Sequence, residues 1–403
     1  MSLLPVHEAL SRLLALAPGK PRTETVILAA AEGRVLAQDI AARLTHPAFD
    51  NSAMDGYAGR HEDLAETGAE LRVIGQSAAG HGFAGKVSSG EVVRIFTGAP
   101  IPSGADTVLA QEDAELLGDG RIRTHFALTK GRHVRPKGQD FAEGDVILRA
   151  GERMTPARLT VAAAMNHPTL PVIARPKVAI LATGDELLPP GSTPGADQII
   201  ASNSFGVAAI ARENGAEVID LGIIGDDRAA ITDAVRKAVE SGVDVLVTLG
   251  GASVGDHDLV QPALKDAGMV LDFWKIAMRP GKPLMVGTLG GTVVLGLPGN
   301  PVSSVVCAYL FLEPLLRRLG GLPAGDRRAQ ARLDGTLPAN DGRQDYVRAH
   351  LSKADDGSWI VQPFPRQDSS MMRVLAEAGC LIVRPIGAPA IGSGEPCEIM
   401  LLH

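Results

Sequence analysis

The regular alternation of apolar runs and amphipathic segments between residues 176 and 320 constrains the fold more than any other feature of the chain. The apolar runs predict strands at Val178–Ala182, Val218–Leu221, Val243–Leu249, Leu284–Val286 and Thr292–Leu295. The segments between them predict helices at about Asn203–Asn214, Arg228–Ser241, His257–Ala267 and Pro301–Leu319, with Gly215, Gly242, Gly268 and Gly320 at their C-terminal caps. Because strands that alternate with helices pair in parallel, we predict a doubly wound parallel α/β sheet over residues 176–325.

The remaining segments lack this alternation of apolar runs and amphipathic segments. Residues 1–20 predict an N-terminal helix, and residues 326–403 predict a small C-terminal β-domain. Residues 48–142 contain frequent glycine and proline and short apolar runs, which indicates a β-domain. That β-domain interrupts a mixed α/β lobe formed by residues 21–47 and 143–175. The predicted architecture is therefore a multidomain α/β plus β protein.

Composition excludes several classes of protein. The net charge of −7 and the aromatic content of 3% argue against nucleic-acid binding and against attraction to an anionic membrane. The three cysteines are odd in number and widely spaced, which favours a reducing compartment over a disulfide framework. The apolar runs are too short to span a bilayer, which needs about 20 residues. We expect a cytoplasmic protein with no membrane partner.

Polar residues follow the predicted strands at the edge where ligands of parallel sheets bind. The third strand runs into Gly250 and Gly251, followed by Ser253 and then by Asp256 and Asp258. Such a loop offers backbone amides and a hydroxyl to an anion, and carboxylates to a divalent cation.

Two other strand ends carry carboxylates, namely Asp185 with Glu186, and Asp226 with Asp227. Clustered Asp and Glu without Cys or His partners suit Mg²⁺, which prefers oxygen ligands. The alternative is that Asp226 and Asp227 cap the following helix and that Glu186 is solvated.

Two further loops of the α/β domain have features of an anion site. Lys275–Pro283 places Lys275, Arg279 and Lys282 in a stiff Pro-Gly-Lys-Pro context, although a solvated basic turn is the alternative. Pro298, Gly299 and Asn300 precede Pro301 and Ser303 at the start of a helix, where free amides favour anions. Capping alone also explains Asn300 and Pro301.

Outside this domain the signals are weaker. Asp55 and Thr97 lie in polar turns of the inserted β-domain, where turn chemistry is the default interpretation. The C-terminal domain contains side chains that could bind an anion, namely Arg343, Arg348, Ser369 and Ser370. From composition alone, such residues are typical of a protein surface.

Together these stretches resemble the MoeA and gephyrin E-domain family of molybdopterin molybdenumtransferases. The resemblance spans essentially the whole chain and rests on NSAMDGYA (51–58), FTGAPIPSGADTV (96–108), ATGDEL (182–187), GDD (225–227), LGGASVGDHD (249–258), KIAMRPGKP (275–283) and GLPGNPVSS (296–304). QDYVRAHL (344–351) and SSMM (369–372) match weaker C-terminal motifs. The family implies a MogA-like α/β domain and a C-terminal domain resembling a β-barrel.

The resemblance also implies an activity. Molybdate would displace the adenylyl group of adenylylated molybdopterin, which yields molybdenum cofactor and AMP. Mg²⁺ would be held among Glu186, Asp227 and Asp258. The Gly250–Ser253 loop and the Asn300–Ser304 helix start would hold the pterin phosphate, while molybdate would lie near Lys275, Arg279, Pro280, Arg348 and Ser369.

Family members are homodimers, so Asp55 and Thr97 would complete the site of the other subunit. Molybdopterin adenylyltransferase and target molybdoenzymes are further candidate partners. Arg279 replaces the expected lysine and SSMM replaces a glycine-serine-histidine run, which are departures from the family pattern. The competing functions are a peptide-binding scaffold, disfavoured by the lack of a fused domain and long linker, and adenylylation of molybdopterin.

Overall fold

A computed structural model of the chain describes residues 3–251 and 259–402. The chain forms two compact units. The larger unit comprises Met1–Glu24 and Ile173–His403, and the smaller unit comprises Thr25–Val172.

The smaller unit consists mainly of short strands. After helix α1 (Val6–Ala15) of the larger unit, the chain forms β1 (Thr23–Ile27), β2 (Ile40–Ala41), β3 (Asn51–Ser52), β4 (Gly56–Gly59), α2 (His61–Leu64), β5 (Glu70–Ser77), β6 (Glu91–Ile95), β7 (Thr107–Ala110), β8 (Ala114–Leu117), β9 (Arg121–Thr124), β10 (Val134–Arg135), β11 (Val146–Leu148), α3 (Pro156–Ala164) and β12 (Thr169–Ile173). Six of these strands form one sheet in the order β7-β4-β6-β5-β9-β8. The pairs β1–β12, β2–β11 and β3–β10 form small separate sheets.

The smaller unit has separate hydrophobic cores. One core combines buried residues from two distant parts of the chain, with Leu36 and Ile40 packed among Phe141, Leu148 and Leu170. The cores of the six-stranded sheet lie instead within residues 57–128. The predicted boundaries of the lobe and the inserted β-domain stay predictions, because core membership alone does not define a domain border.

The larger unit contains a second six-stranded sheet and most of the helices. Its elements are β13 (Lys177–Thr183), β14 (Leu187–Leu188), β15 (Ile199–Ile200), α4 (Asn203–Glu213), β16 (Glu217–Ile224), α5 (Arg228–Glu240), β17 (Val245–Leu249), α6 (Val260–Asp266), β18 (Val270–Trp274), β19 (Met278–Arg279), β20 (Met285–Leu289), β21 (Thr292–Leu297), α7 (Pro301–Cys307), α8 (Glu313–Leu319), β22 (Arg328–Leu333), β23 (Gln344–Lys353), β24 (Trp359–Pro363), α9 (Met372–Glu377), β25 (Cys380–Arg384) and β26 (Pro396–Leu401).

The sheet has the order β16-β13-β17-β21-β20-β18, and its first four strands are parallel. The predicted α/β fold class is confirmed. The sheet is not parallel throughout, however, because β20 and β18 pair antiparallel at one edge. Only Gly290 and Gly291 separate β20 from β21, and a two-residue connection permits only an antiparallel pair. Strand β18 was not among the predicted strands.

Helices cover both faces of this sheet. Val178, Ile180 and Val247 pack on one face with residues of α1, α4, α7 and α8. The intervening residues Leu181 and Leu246 pack on the other face with α5 and α6. Side chains that alternate between two buried faces explain why these strands are apolar throughout, as a doubly wound sheet requires.

The helix predicted over Pro301–Leu319 is divided. A π-helical segment, Ala308–Leu312, separates α7 from α8. Pro314 lies in the first turn of α8, and because proline has no backbone N–H it interrupts the regular ladder of hydrogen bonds at this point. No helix in residues 3–251 and 259–402 is both long and apolar enough to cross a membrane.

The C-terminal strands close into a barrel. Strand β22 pairs with β24 and β26, and β23 pairs with β24 and β25. Pairing of β25 with β26 completes a ring of five strands, so the C-terminal β-barrel is confirmed. Strand β19, which belongs to the basic loop, adds to β23 in parallel.

The glycines of the β20–β21 hairpin give a test of this fold. A Cβ on Gly287 would lie 2.4 Å from the carbonyl oxygen of Val270, whereas a Cβ on Gly291 would meet no atom within 4 Å. We expect Gly287→Ala to lower the free energy of unfolding by about 1–3 kcal/mol through overpacking. Gly291→Ala is the matched control and should change it by less than about 0.5 kcal/mol.

Tryptophan fluorescence during denaturant unfolding measures this difference. Both tryptophans, Trp274 and Trp359, belong to the larger unit, so the signal reports on that unit alone. Equal unfolding midpoints for the two variants would contradict the close approach of β18 to β20.

Candidate functional site

A cavity of about 870 Å³ lies in the larger unit at the carboxyl ends of β13, β17 and β21. Seven of the residues predicted to bind ligand line it, namely Glu186, Gly250, Gly251, Pro298, Gly299, Asn300 and Ser303. A cavity of this size accommodates a nucleotide-sized ligand. Parallel pairing of β13 with β17 and of β17 with β21 places their loops side by side.

The two glycine loops lie next to each other at the cavity. The backbone of Gly250 has φ of +94°, which side chains rarely tolerate. A Cβ on Gly299 would lie 3.7 Å from the Cα atom of Gly250. The two predicted glycine loops are therefore neighbours, and their backbones form one surface.

Carboxylates lie on one wall of the cavity. Glu186 and Asp226 both line it. The Glu186 carboxylate lies directly over Gly184, since a Cβ built on Gly184 would be 2.3 Å from Oε2 of Glu186. Asp185 accepts a hydrogen bond from the backbone N–H of Asp226 at 2.9 Å, which ties the first loop to the second.

Asp227 has a different role from that of its neighbour. Its Oδ1 accepts hydrogen bonds from the backbone N–H groups of Ala229 at 2.8 Å and Ala230 at 3.1 Å. Asp227 is therefore the N-cap of α5, and Asp226 is the residue of the pair that lines the cavity. The sequence alone left this choice open.

The predicted residues Ser253 and Asp258 lie outside the described residues. Within residues 3–251 and 259–402, no three His, Cys, Asp or Glu side chains converge as a metal-binding group. The assignment of Glu186, Asp227 and Asp258 to Mg²⁺ stays a prediction.

Asn300 starts α7 but does not cap it with its side chain. Its Nδ2 instead donates to the hydroxyl of Ser369 at 3.0 Å. The backbone oxygen of Ser369 accepts the N–H of Val302, at 3.2 Å, so the C-terminal domain provides the cap. The structure thus brings together Asn300 and Ser369, residues from two different predicted subsites. Ser370 and Met372 of the same segment line the cavity.

Arg348 lies behind this segment on β23 and is only 1% exposed. Its Nε donates to Oε1 of Gln367 at 3.1 Å, and its Nη1 donates to the backbone oxygen of Asp368 at 3.1 Å. Burial lowers the pKa of the Arg348 guanidinium, although the nearby carboxylates of Asp345 and Asp368 oppose this effect. The C-terminal motif therefore supplies a buried cation, and Arg348 is not the surface residue that composition suggested.

The basic loop is partly neutralised by acidic residues. Arg279 donates to Oδ2 of Asp345 at 2.6 Å and also pairs with Asp341 at 3.5 Å. The hydrogen bond with Asp345 raises the pKa of the Arg279 guanidinium. Of the described residues in the loop, Pro283 lines the cavity, whereas Lys275, Arg279, Pro280 and Lys282 are not part of its wall.

Contacts with the N-terminal segment fix the backbone of Lys275, which has φ of +72°. The N–H of Leu4 donates to its carbonyl oxygen at 3.5 Å, and the N–H of Ala277 donates to the oxygen of Leu4 at 2.7 Å. The Lys275 ammonium lies over the ring of Trp274, at 4.6 Å. The N-terminus thus holds the strained start of the basic loop.

Asp55 and Thr97 contact each other in the smaller unit. Oδ1 of Asp55 accepts hydrogen bonds from both the backbone N–H and the hydroxyl of Thr97, each at 2.8 Å. Both hydrogen bonds lower the pKa of Asp55, and the bond from the backbone N–H has the larger effect. The structure therefore pairs two residues that the sequence separates by 42 positions.

Three side chains organise the site through contacts that sequence reasoning did not predict. Asp185 joins two loops, Asn203 donates to the backbone oxygen of Gly299 at 2.7 Å, and Gln367 holds Arg348. Asp185 is adjacent to Glu186 in a recognised motif, so its position was a usable signal. Asn203 and Gln367 gave no signal, because both act through contacts that are distant in sequence.

A doubly wound sheet whose cavity combines glycine loops with carboxylates at the carboxyl ends of parallel strands defines an α/β ligand-binding protein. Three family models match most of the chain. They are described as "MoeA N-terminal region (domain I and II)" over residues 4–166, "Probable molybdopterin binding domain" over 179–318 and "MoeA C-terminal region (domain IV)" over 330–402.

Relatives of known name match over nearly the full length. A molybdopterin molybdenumtransferase of Haemophilus influenzae is 35% identical and covers 98% of both chains. The one from Nostoc sp. is 36% identical over 94% of this chain and 89% of its own. A solved structure of a molybdopterin biosynthesis MoeA protein from Pyrococcus horikoshii aligns with a TM-score of 0.84, at 29% identity and over 100% of both chains. The chain belongs to the MoeA family of molybdopterin molybdenumtransferases, which are transferases of molybdenum cofactor biosynthesis.

The capping role of Asp227 can be tested by stability. Asp227→Ala removes the acceptor for two helix amides and should lower the free energy of unfolding by about 1 kcal/mol. Asp227→Asn keeps a good cap and should stay close to wild type. Asp226→Ala is the control, since the Asp226 side chain caps no helix amide. Tryptophan fluorescence during denaturation reads out the three variants, and an unchanged Asp227→Ala midpoint would refute the cap.

The Asp55–Thr97 pair predicts a pH effect. The folded pKa of Asp55 lies below its unfolded value, so this carboxylate stabilises the fold above the unfolded pKa and loses that contribution as pH falls through the folded pKa. Thr97→Val removes the hydroxyl donor but keeps the backbone donor, and should therefore raise the pKa of Asp55 part of the way to its ordinary value.

Carbon-13 NMR titration of the Asp55 carboxyl group measures this change. Thr129→Val is the matched control, because Thr129 is exposed and lies outside the pair. An identical Asp55 titration in wild type and Thr97→Val would show that the hydroxyl does not stabilise the carboxylate.

Proposed function

We propose that the chain inserts molybdenum into adenylylated molybdopterin, with molybdate as the second substrate and AMP as the leaving group. The arrangement that carries this proposal is the cavity at the carboxyl edge of the sheet. Its floor is formed by two glycine loops, Gly250–Gly251 and Pro298–Gly299, and one wall carries Glu186 and Asp226. The names of the relatives, which are molybdopterin molybdenumtransferases, agree with this chemistry.

The substrate has an anionic pyrophosphate and planar ring systems, and the cavity accommodates them differently. We assign the pyrophosphate to the glycine loops, since backbones without side chains allow close approach to phosphate oxygens. The apolar part of the wall, which includes Ile199, Leu259 and Met372, suits the planar rings of the pterin or the adenine. Ser303 and Asn300 add polar groups to the lining of the same cavity.

The donor set fits Mg²⁺. Glu186 and Asp226 present hard oxygens to the cavity, and Asp227 keeps Oδ2 outside its capping bonds. We propose that these residues and Asp258 hold the ion, which would neutralise pyrophosphate charge when bound. Because Oδ1 of Asp227 is engaged by helix amides, we favour Asp226 as the nearer ligand.

Molybdate is a tetrahedral dianion, and we place it beside Ser369 and Arg348. Ser369 is already in contact with Asn300 of the cavity wall, and Arg348 supplies a buried positive charge beneath the same segment. The family resemblance adds Lys275, Arg279 and Pro280 to this proposed subsite. Arg279 must share its charge with Asp345 and Asp341, which makes it the weaker cation of the loop.

The proposed activity is tested by AMP release from adenylylated molybdopterin with and without molybdate. The wild-type protein should release AMP only when molybdate and Mg²⁺ are both present. Release that is independent of molybdate, or formation of adenylylated molybdopterin from ATP instead, would replace the proposal with hydrolysis or adenylylation.

The metal assignment is tested by titrating Mg²⁺ in the same assay. Asp226→Asn and Asp258→Asn should each raise the Mg²⁺ concentration for half-maximal rate by about tenfold or more, since each removes an oxygen ligand. Asp227→Asn keeps the cap and should give a smaller change. A larger effect for Asp227→Asn than for Asp226→Asn would reverse our choice between the two.

We further propose that the protein acts as a homodimer in the cytoplasm and that Asp55 and Thr97 complete the active site of the other subunit. Mixing two inactive variants, Asp55→Asn and Glu186→Gln, would then create one intact site in each mixed dimer. Reassociated mixtures should recover about a quarter of wild-type activity, since half of the dimers are mixed. No recovery in mixtures that sedimentation shows to be mixed dimers would exclude a shared site.

A further inference from the structure

The side-chain amide of Gln367 binds Arg348 at several points. Its Oε1 accepts the backbone N–H of Arg348 at 2.9 Å and the side-chain Nε–H at 3.1 Å. Its Nε2 donates to the backbone oxygens of Arg348 and Phe364, both at 2.9 Å. One neutral side chain thus fixes both the backbone and the guanidinium of a buried arginine.

The turn that follows Gln367 is fixed at both ends. The backbone oxygen of Asp368 accepts from Nη1 of Arg348, and Oδ1 of Asp368 accepts the N–H and the hydroxyl of Ser370 at 2.8 and 2.6 Å. Ser369 contacts Asn300 through its hydroxyl and Val302 through its backbone oxygen. Gln367 therefore connects the barrel strand that carries Arg348 to residues at the cavity.

Burial makes this arrangement sensitive to the loss of a partner. Arg348 is 1% exposed, so its donors must be paired within the protein or with a ligand. Gln367 and Asp368 occupy Nε and Nη1, and no residue in 3–251 or 259–402 forms a hydrogen bond with Nη2. Gln367 and Asp368 thus hold two of the five N–H donors of the guanidinium and thereby orient the donors that remain for a ligand.

We propose that Gln367 is a positioning residue for binding of the tetrahedral oxyanion. It acts through Arg348 and through the Asp368–Ser370 turn, and it does not touch the reacting atoms. This inference rests on the proposed function for its ligand, molybdate, but the contacts that carry it are independent of that function.

Steady-state kinetics separate positioning from general damage. Gln367→Ala should raise the KM for molybdate about tenfold, because an unpaired buried arginine donor is free to reorient. The KM for adenylylated molybdopterin should change by less than about twofold, since the glycine loops are not altered. Gln367→Glu keeps the two acceptor contacts to Arg348 but loses the Nε2 donor and adds a negative charge beside the guanidinium, so the KM for the molybdate dianion should stay raised.

Gln362→Ala is the matched control. Gln362 is an exposed glutamine on β24, and its pairing with β23 is through the backbone. It should match wild type in both KM values. Equal KM values for molybdate in wild type and Gln367→Ala, with both proteins folded, would overturn the inference.

Two further measurements separate a positioning role of Gln367 from general damage to the protein. Solvent exchange of the Arg348 Nε–H, followed by nitrogen-15 NMR, should be faster in Gln367→Ala and unchanged in Gln362→Ala. This experiment needs no substrate, so it tests the positioning role even if wild type shows no molybdate-dependent AMP release. In the kinetic assay, the double variant Ser369→Ala/Gln367→Ala should raise the KM for molybdate by a smaller factor than the product of the factors for the two single variants. Unchanged Nε–H exchange or fully multiplicative KM effects would count against action through the turn.

Discussion

The parallel register of β13, β17 and β21 determines where the loops of the cavity lie. Because these neighbouring strands run in the same direction, their polar ends come together at one edge of the sheet. The loops that contain Gly250 and Gly299 then lie side by side, and the positive φ of Gly250 accounts for glycine at that position. The cavity is a consequence of this alignment, since the same loops on antiparallel strands would lie at opposite edges.

The C-terminal barrel completes this edge. Strand β19 of the basic loop pairs with β23 of the barrel. Ser369 accepts the backbone N–H of Val302 in α7, and Ser370 lines the cavity. The barrel is therefore part of the site and does not only follow it in sequence. The buried guanidinium of Arg348 is held by a neutral amide and a backbone oxygen, while the nearby carboxylates of Asp345 and Asp368 favour its charged form.

Residues that look equivalent in sequence have different roles at the helix starts. Asp226 and Asp227 are adjacent carboxylates, yet one lines the cavity and the other accepts two helix amides. Asn300 has the composition of an N-cap but uses its side chain to hold Ser369. In both cases the choice was made by the local backbone and its neighbours in space, since the chemistry of the side chain permits either role.

The sequence predicts the α/β class, the C-terminal barrel through its family resemblance, and seven of the residues that line the cavity. Periodicity and glycine punctuation are local properties, so apolar strands and the loops after them could be predicted directly. The antiparallel edge of the sheet, the π-helical break before Pro314, the partners of Asn300 and the contacts of Gln367 are visible in the folded structure alone. These features depend on contacts between segments that are far apart in the chain, such as Gln367 with Arg348 and Asn300 with Ser369. The pattern of a single segment carries no information about such contacts, because the free energy that selects them comes from the packed neighbours.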